Sequence, residues 1–151
     1  MITETQQATV TEAKNCRVHL RDALQSLERA VSSPVPGREE QWRAAVRDRL
    51  QDLRRSLAGH ISVTEGPDGL LPQIEIDAPR LENRIARLMS EHLRLDDLIG
   101  DAMHSVDDSR IAPDDVRLLV GAIHSAFLRH RQLGADLVYE AYEVDIGGGE
   151  D

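Results

Sequence analysis

Four helix-length stretches with apolar residues at every third or fourth position constrain the fold of this chain most strongly. That spacing places the apolar side chains on one face of an α-helix. The only short alternation of polar and apolar residues lies at 73–76, so little in the sequence favours β-structure. An even number of helices with mostly short connections favours neighbouring helices of opposite direction. The sequence therefore predicts an all-α domain, an antiparallel up-down-up-down four-helix bundle.

Residues with known preferences for helix ends mark the predicted boundaries. Thr9 and Glu12 have the spacing of a capping box, Glu39 suits an N-terminus, and Pro113 suits a first helical turn. We expect helices at about 9–31, 39–65, 79–106 and 113–141. The connection 66–79 is long for a bundle. We expect its apolar residues to cover one end of the core: Leu70, Leu71, Ile74 and Ile76.

The charge of the chain argues against two classes of partner. Eighteen basic and 27 acidic residues give a formal charge of -9, whereas nucleic acids and anionic membranes bind basic surfaces. Arginines do cluster at 38–55, but acidic residues lie among them, which is typical of a solvated helix surface. No apolar run approaches the ~20 residues of a membrane span. We therefore expect neither a nucleic-acid nor a membrane partner.

Cysteine content and the first residues predict the compartment. The single cysteine, Cys16, excludes an intrachain disulfide, and residues 1–7 lack the basic and apolar regions of a signal peptide. We therefore expect a cytoplasmic protein. Its 17 arginines against one lysine, Lys14, suggest the coding bias of a GC-rich bacterium. The sequence contains no Gly-x-Ser-x-Gly, glycine-rich phosphate loop or Cys-x-x-Cys, so it predicts no covalent catalysis.

Histidines are the candidate functional residues, because one falls in each predicted helix: His19, His60, His92 and His130. The last three occupy positions on the apolar stripe of their helices. A buried imidazole needs a hydrogen-bond partner or a metal, and without one it costs on the order of one to several kcal/mol. One such histidine is more often a satisfied core residue, but three in successive helices favour a shared site. His104 and His124 fall beside their stripes, and we expect them to be partly exposed.

The sequences around these histidines resemble the hemerythrin-like family of four-helix non-haem iron proteins. The resemblance extends over about residues 10–142, and four local sequences carry it: HLRDAL at 19–24, LAGHISVTE at 57–65 with LLP at 70–72, LMSEHLRL at 88–95, and LRH at 128–130. It implies a hemerythrin-like bundle, which we expect to span residues 1–146. The acidic, glycine-rich composition of 147–151 separately predicts a flexible tail. The resemblance also implies a metal ion, with dioxygen as a possible ligand, and a role in iron or oxygen binding or sensing.

The family's ligand pattern is incomplete in this chain. Its bridging carboxylates would fall at Thr64 and Gly134, and its additional third-helix histidine would fall at Leu88. The carboxylates available as substitutes are Glu65, at the end of the second helix, and Asp96, one turn after His92, with Glu91 beside that histidine. The ligand set implied by the resemblance is therefore His19, His60, His92, His130, Glu65 and Asp96. A mononuclear, mostly imidazole site fits better than a di-iron site, with iron or zinc as the metal.

Two other interpretations remain open. In the first, the bundle has lost its metal and acts as an interaction or scaffold protein, with its histidines hydrogen-bonded to one another or to buried water. In the second, the protein is a di-iron oxidoreductase. Geometry distinguishes the first from a metal site: imidazole nitrogens of His60, His92 and His130 more than roughly 8 Å apart would exclude ligand bonds of ~2.1 Å to one ion.

Overall fold

Five α-helices make up most of the computed structural model, which describes residues 2–143. They are α1 (Glu4–Ser32), α2 (Glu39–Glu65), α3 (Leu70–Asp77), α4 (Glu82–Val106) and α5 (Pro113–Tyr142), with a 3-10 turn at Pro79–Leu81. No strand occurs within the described part of the chain. The four long helices pack in a ring, in which α1 contacts α2 and α5, and α4 contacts the same two helices. The predicted all-α fold with four packed helices is confirmed.

The first helix begins at Glu4, five positions before the predicted Thr9. A different capping box starts it: the Gln6 amide donates to Thr3 Oγ1 at 3.1 Å, and the Thr3 amide donates to Gln6 Oε1 at 2.6 Å. The Thr9 hydroxyl instead donates to the Thr5 carbonyl within the helix. The prediction of Thr9 as the N-cap is therefore wrong, because a second pair with the same spacing lies upstream.

The connection between α2 and α4 contains a helix that the sequence pattern did not predict. Leu70, Leu71 and Ile74 are buried on one face of α3, and they cover an end of the core as expected. Ile76 is 74% exposed, so its predicted burial is wrong. The difference follows from helical geometry, because Ile76 lies about 200° around the axis from Ile74 at 3.6 residues per turn.

Two arginines donate hydrogen bonds to the loops that connect the long helices. Arg43 donates to the carbonyls of Val106 and Asp108 at 3.1 and 3.2 Å, and also to that of Ile111, at the end of α4. Its side chain is only 11% exposed, so the interpretation of the whole arginine cluster as a solvated surface is wrong at this position. Arg117 similarly donates to carbonyls at the end of α1. At Val106 and Val31 these bonds reach carbonyls in the last turn of a helix, which lack intrahelical partners, and the other carbonyls lie in the loops.

The buried apolar residues form two clusters along the bundle. One lies at the centre of the four long helices and includes Leu95 and Phe127. The other lies beneath α3 and includes Leu88 and Leu137. His92 and His130 lie between members of the two clusters along α4 and α5, so a histidine layer separates the apolar clusters.

None of the helices within residues 2–143 has the length and apolar character that crossing a bilayer requires. The predicted tail at 147–151 lies outside the described residues.

Candidate metal centre

Three histidines from three helices converge in the interior of the bundle. His60 on α2, His92 on α4 and His130 on α5 are 5%, 2% and 7% exposed. One ring nitrogen from each lies within 4.8 Å of the corresponding nitrogens of the other two. The ring centroids are 4.7 to 5.7 Å apart. The convergence predicted for these three residues is confirmed, since the separations fall well inside the roughly 8 Å limit for one metal ion.

Helical periodicity places these imidazoles inside. His60 follows the buried Leu57 by three positions and precedes the buried Thr64 by four. His92 lies four positions after Leu88 and three before Leu95, on the buried face of α4. Side chains at these spacings lie on one face of a helix. The apolar stripes that drive the helices together therefore also bring the three rings together.

Two glutamates each contact one of these imidazoles, in both cases at its Nδ1 atom. Glu65 contacts Nδ1 of His92, and Glu91 Oε1 lies 2.9 Å from Nδ1 of His130. Both carboxylates are partly buried, with side chains 22% and 24% exposed. With Nδ1 engaged, Nε2 is the nitrogen that remains available on each ring. A carboxylate on the second nitrogen is the usual partner of a metal-ligating histidine, because it fixes the ring and its tautomer.

His60 differs from the other two histidines. Its Nδ1 is buried and has no hydrogen-bond partner among the described residues. A buried polar atom without a partner costs about 1–3 kcal/mol. A metal ion bound at this nitrogen would supply the missing partner. The unpartnered Nδ1 is therefore the observation that best supports a metal among these three histidines.

The protein environment favours the neutral form of His60 and of His130. Burial, reinforced by the charges that His92, His130 and Arg17 would carry, lowers the pKa of His60 to about 3. Burial also lowers the pKa of His130, although the contact with Glu91 opposes that shift. A neutral imidazole is the form that ligates a metal. Both rings therefore need no deprotonation to bind a metal at neutral pH.

The structure does not bring His19 or Asp96 to this group. His19 is exposed, because it precedes the buried Leu20 by one residue and is therefore about 100° away from the packed face of α1. Asp96 accepts hydrogen bonds from Nε and Nη2 of Arg54 at 2.9 and 3.1 Å. We correct the predicted arrangement accordingly: of the four histidines, three converge, and Glu65 contacts a histidine ring instead of joining the group of converging ligand atoms.

Sequence reasoning missed Arg17 and undervalued Glu91. Arg17 lines a cavity of about 90 Å³ beside the three histidines. A signal was available, because Ala13, Arg17, Leu20 and Leu24 follow helical spacing and Arg17 therefore lies on the packed stripe of α1. Glu91 neighbours His92 in sequence, yet it contacts His130 on another helix. Such a contact depends on helix packing and has no sequence signature.

Thr64 and Gly134, where the resemblance would place carboxylates, also line the cavity. The Thr64 hydroxyl donates to the His60 carbonyl at 2.8 Å, and a Cβ at Gly134 would meet no heavy atom within 4 Å. The centre therefore combines three imidazoles, two carboxylates that contact ring nitrogens, and an adjacent cavity.

Comparison of the chain with protein-family models, curated proteins and solved structures finds no match.

Proposed function

We propose that this protein is a hemerythrin-like metal-binding bundle that holds one transition-metal ion through His60, His92 and His130. The observation that carries the proposal is the convergence of three buried imidazoles, whose ligand nitrogens lie within 4.8 Å of one another. Bonds of about 2.1 Å in a tetrahedral site require nitrogens roughly 3.4 Å apart. Small side-chain movements would close the remaining distance. The biological role that we propose is iron or oxygen binding or sensing.

The donor set favours a single ion with open coordination positions. Three protein ligands leave room for water or a small molecule, as in metal sites that bind or transform a ligand. Thr64 and Gly134 provide no bridging carboxylate, and Glu65 and Glu91 contact ring nitrogens. Imidazole suits iron, zinc, copper and nickel. We propose iron first, on the family resemblance, with zinc as the alternative.

The proposal includes an antiparallel up-down-up-down order of the four long helices. The ring of contacts, in which consecutive long helices are neighbours, supports it. The connections 33–38 and 107–112 are also short, and helices joined by short connections usually run in opposite directions. This order would let α2, α4 and α5 present their histidines at the same depth.

A metal-free interaction protein is the second candidate function. The three rings contact one another edge to face, with interplanar angles of 88°, 84° and 63°, and two of them have carboxylate partners. The ring contacts and the two carboxylates could stabilise the buried imidazoles without a metal ion. The buried Nδ1 of His60 favours the metal-binding function over this one.

Metal analysis of protein purified without a histidine tag tests the proposal. We expect about one transition-metal ion per chain, and its loss on His92→Leu, because that ring contributes a ligand nitrogen. His19→Leu is the matched control: it removes an exposed histidine from α1 and should leave the metal content unchanged. Equal metal content in His92→Leu and wild-type protein would contradict the ligand assignment.

A further inference from the structure

The cavity beside the histidine layer has a wall made mainly of apolar side chains. An apolar cavity of about 150 Å³ can hold benzene, so the volume of about 90 Å³ found here has room for a smaller molecule. Leucines and one phenylalanine form most of the apolar wall: Leu20, Leu24, Leu71, Leu88, Phe127 and Leu137. A molecule of a few heavy atoms therefore fits beside the histidines.

The chemistry of this wall favours a neutral, apolar molecule. Leucine and phenylalanine side chains form no hydrogen bonds, whereas an ordered buried water makes about three. A charged molecule would lose its hydration against such a wall, which is costly. Three arginines also line the cavity, but each already interacts with another group of the protein: Arg17, Arg21 and Arg131. Burial of apolar surface is therefore the main interaction that the wall offers to a ligand.

The mouth of the cavity lies in the seam between α1 and α5. These two helices pack against each other less extensively than the other neighbouring pairs of long helices. Gly134, Arg131 and Leu128 of α5 all line the cavity, and each lies about 60° further round the helix than the one before. Leu128 is 47% exposed, so this lining runs from the interior to the surface. A Cβ at Gly134 would meet no heavy atom within 4 Å, so the glycine leaves space at the mouth.

We propose that the cavity binds a neutral short-chain hydrocarbon of the size of propane, which enters through the seam between α1 and α5 at Gly134. Neither the apolar wall nor the mouth requires a metal ion, so hydrocarbon binding does not depend on the proposed function. The three converging histidines line the same cavity. A bound hydrocarbon therefore lies next to the candidate metal centre.

Propane and ethanol are a matched pair of probes, because they have the same number of heavy atoms and only ethanol carries a hydroxyl group. We expect propane to cause saturable shifts of methyl signals in NMR spectra. It should bind about tenfold more tightly than ethanol, because the hydroxyl group loses its hydration against an apolar wall. Equal or tighter binding of ethanol would overturn the hydrocarbon assignment.

Nuclear Overhauser effects locate the bound propane without any substitution. They should connect propane with methyl groups of Leu24 and Leu137 in the wall. Leu118 is the control, because it is 74% exposed and does not line the cavity. Effects to Leu118 in place of the wall residues would show binding to the surface and would overturn the site.

Two glycines of α5 provide matched variants that test the mouth. Gly134→Leu should fill the space in the seam and weaken propane binding about tenfold, because the interior has no other room for the added side chain. Gly121→Leu is the control, since a Cβ at Gly121 also meets no heavy atom within 4 Å but Gly121 does not line the cavity. Circular dichroism checks that both variants fold. Equal propane affinity in folded Gly134→Leu and wild type would overturn the assignment of the mouth.

Measurements with and without a chelator distinguish hydrocarbon binding from the proposed metal function. Propane should bind the protein as purified and the chelator-treated protein with similar affinity, because the wall is made of side chains that do not ligate a metal. Loss of propane binding on chelation would contradict this independence. Propane binding by a protein that takes up no metal would support the hydrocarbon site and contradict the proposed function alone.

Discussion

Glu65 and Glu91 each contact the Nδ1 atom of one histidine in the candidate metal centre. We expect Glu65→Gln and Glu91→Gln each to lower metal affinity about 10- to 100-fold, since the amide holds the ring less well and makes it less basic. Competition with a coloured chelator measures the affinity. Glu140→Gln is the matched control, because Glu140 pairs with Arg84 on the bundle surface. If either centre variant bound metal like wild type, that carboxylate would have no role in orienting its histidine.

Substitution of Gly134 and of Gly69 by alanine should change the stability of the protein in opposite directions. A Cβ at Gly134 meets no heavy atom within 4 Å, so Gly134→Ala should stabilise α5 by about 0.5–1 kcal/mol through the higher helix propensity of alanine. A Cβ at Gly69 would lie 2.5 Å from the Val63 carbonyl oxygen and 2.7 Å from that of Thr64. Gly69→Ala should therefore destabilise the protein. Urea unfolding of both variants checks the signs, and a loss of stability in Gly134→Ala would contradict the open space there.

The sequence could predict the three central histidines because helical periodicity alone determines which face a residue occupies. The same rule applied to α1 would have placed Arg17 on the packed face and His19 off it. His19 was predicted as a ligand because it is a histidine in the first helix, although the helical period places it off the packed face. Glu65 could not be placed from sequence, because its contact with His92 depends on how α2 packs against α4.

At the scale of helices, Asp77 joins three elements at one end of the bundle. Its Oδ2 accepts hydrogen bonds from the Tyr142 hydroxyl at 2.7 Å and from Nε2 of Gln73 at 3.0 Å, and it also accepts one from Gln6. These partners lie on α5, α3 and α1. Burial acts to raise the pKa of Asp77, but hydrogen bonds from Tyr142, Gln73 and Gln6 outweigh it and lower the pKa below its usual range.

Asp77→Ala should lower the free energy of unfolding by about 0.5–1 kcal/mol at pH 7, a modest value because the carboxylate is exposed. The folded-state pKa is below the unfolded value of about 3.9, so the ionised group stabilises the protein above that pH. The difference between wild type and variant should therefore shrink as the pH falls below about 4 and through the folded-state pKa. Urea unfolding at several pH values measures it. Asp48→Ala, at an exposed position of α2, should show neither effect.

The four long helices could be predicted because each carries a long apolar stripe and a recognisable break at its end. Helix α3 could not, because eight residues give too few turns to establish a period, and the segment contains Pro72. Proline is nevertheless compatible with the first turn of a helix, where its missing amide hydrogen has no intrahelical partner. The packing of Leu70 and Leu71 against the bundle stabilises this helix, and such contacts are tertiary.

At the scale of the whole molecule, the histidine layer interrupts a core that is otherwise apolar. Residues of the central cluster lie on one side of it, and the cluster beneath α3 lies on the other. The sequence predicted that polar groups would occur in the core but could not give their separations, because these depend on the relative shift of neighbouring helices. A metal ion held by imidazoles inside the core would link metal binding to the stability of the entire bundle.

Zinc or ferrous iron should therefore raise the melting temperature of the metal-free protein. A ligand at 100 times its dissociation constant adds about 2.7 kcal/mol. For a chain of this size, that corresponds to a shift of roughly 5–10 °C. Thermal unfolding followed by circular dichroism, with and without metal, measures it under anaerobic conditions for iron. A chelator should reverse the shift, since the stabilisation comes from binding to the folded state.

Two histidine variants determine whether such a shift comes from the proposed centre. His130→Leu should abolish it, because the variant has only two of the three imidazoles, while His124→Leu should retain it, because His124 contacts Glu28 away from the converging group. The metal-free protein also responds differently in the two functional interpretations. In a scaffold protein, leucine at position 130 would relieve a buried polar group and raise the melting temperature, and added metal would not shift the wild type. That combination would contradict the proposed function.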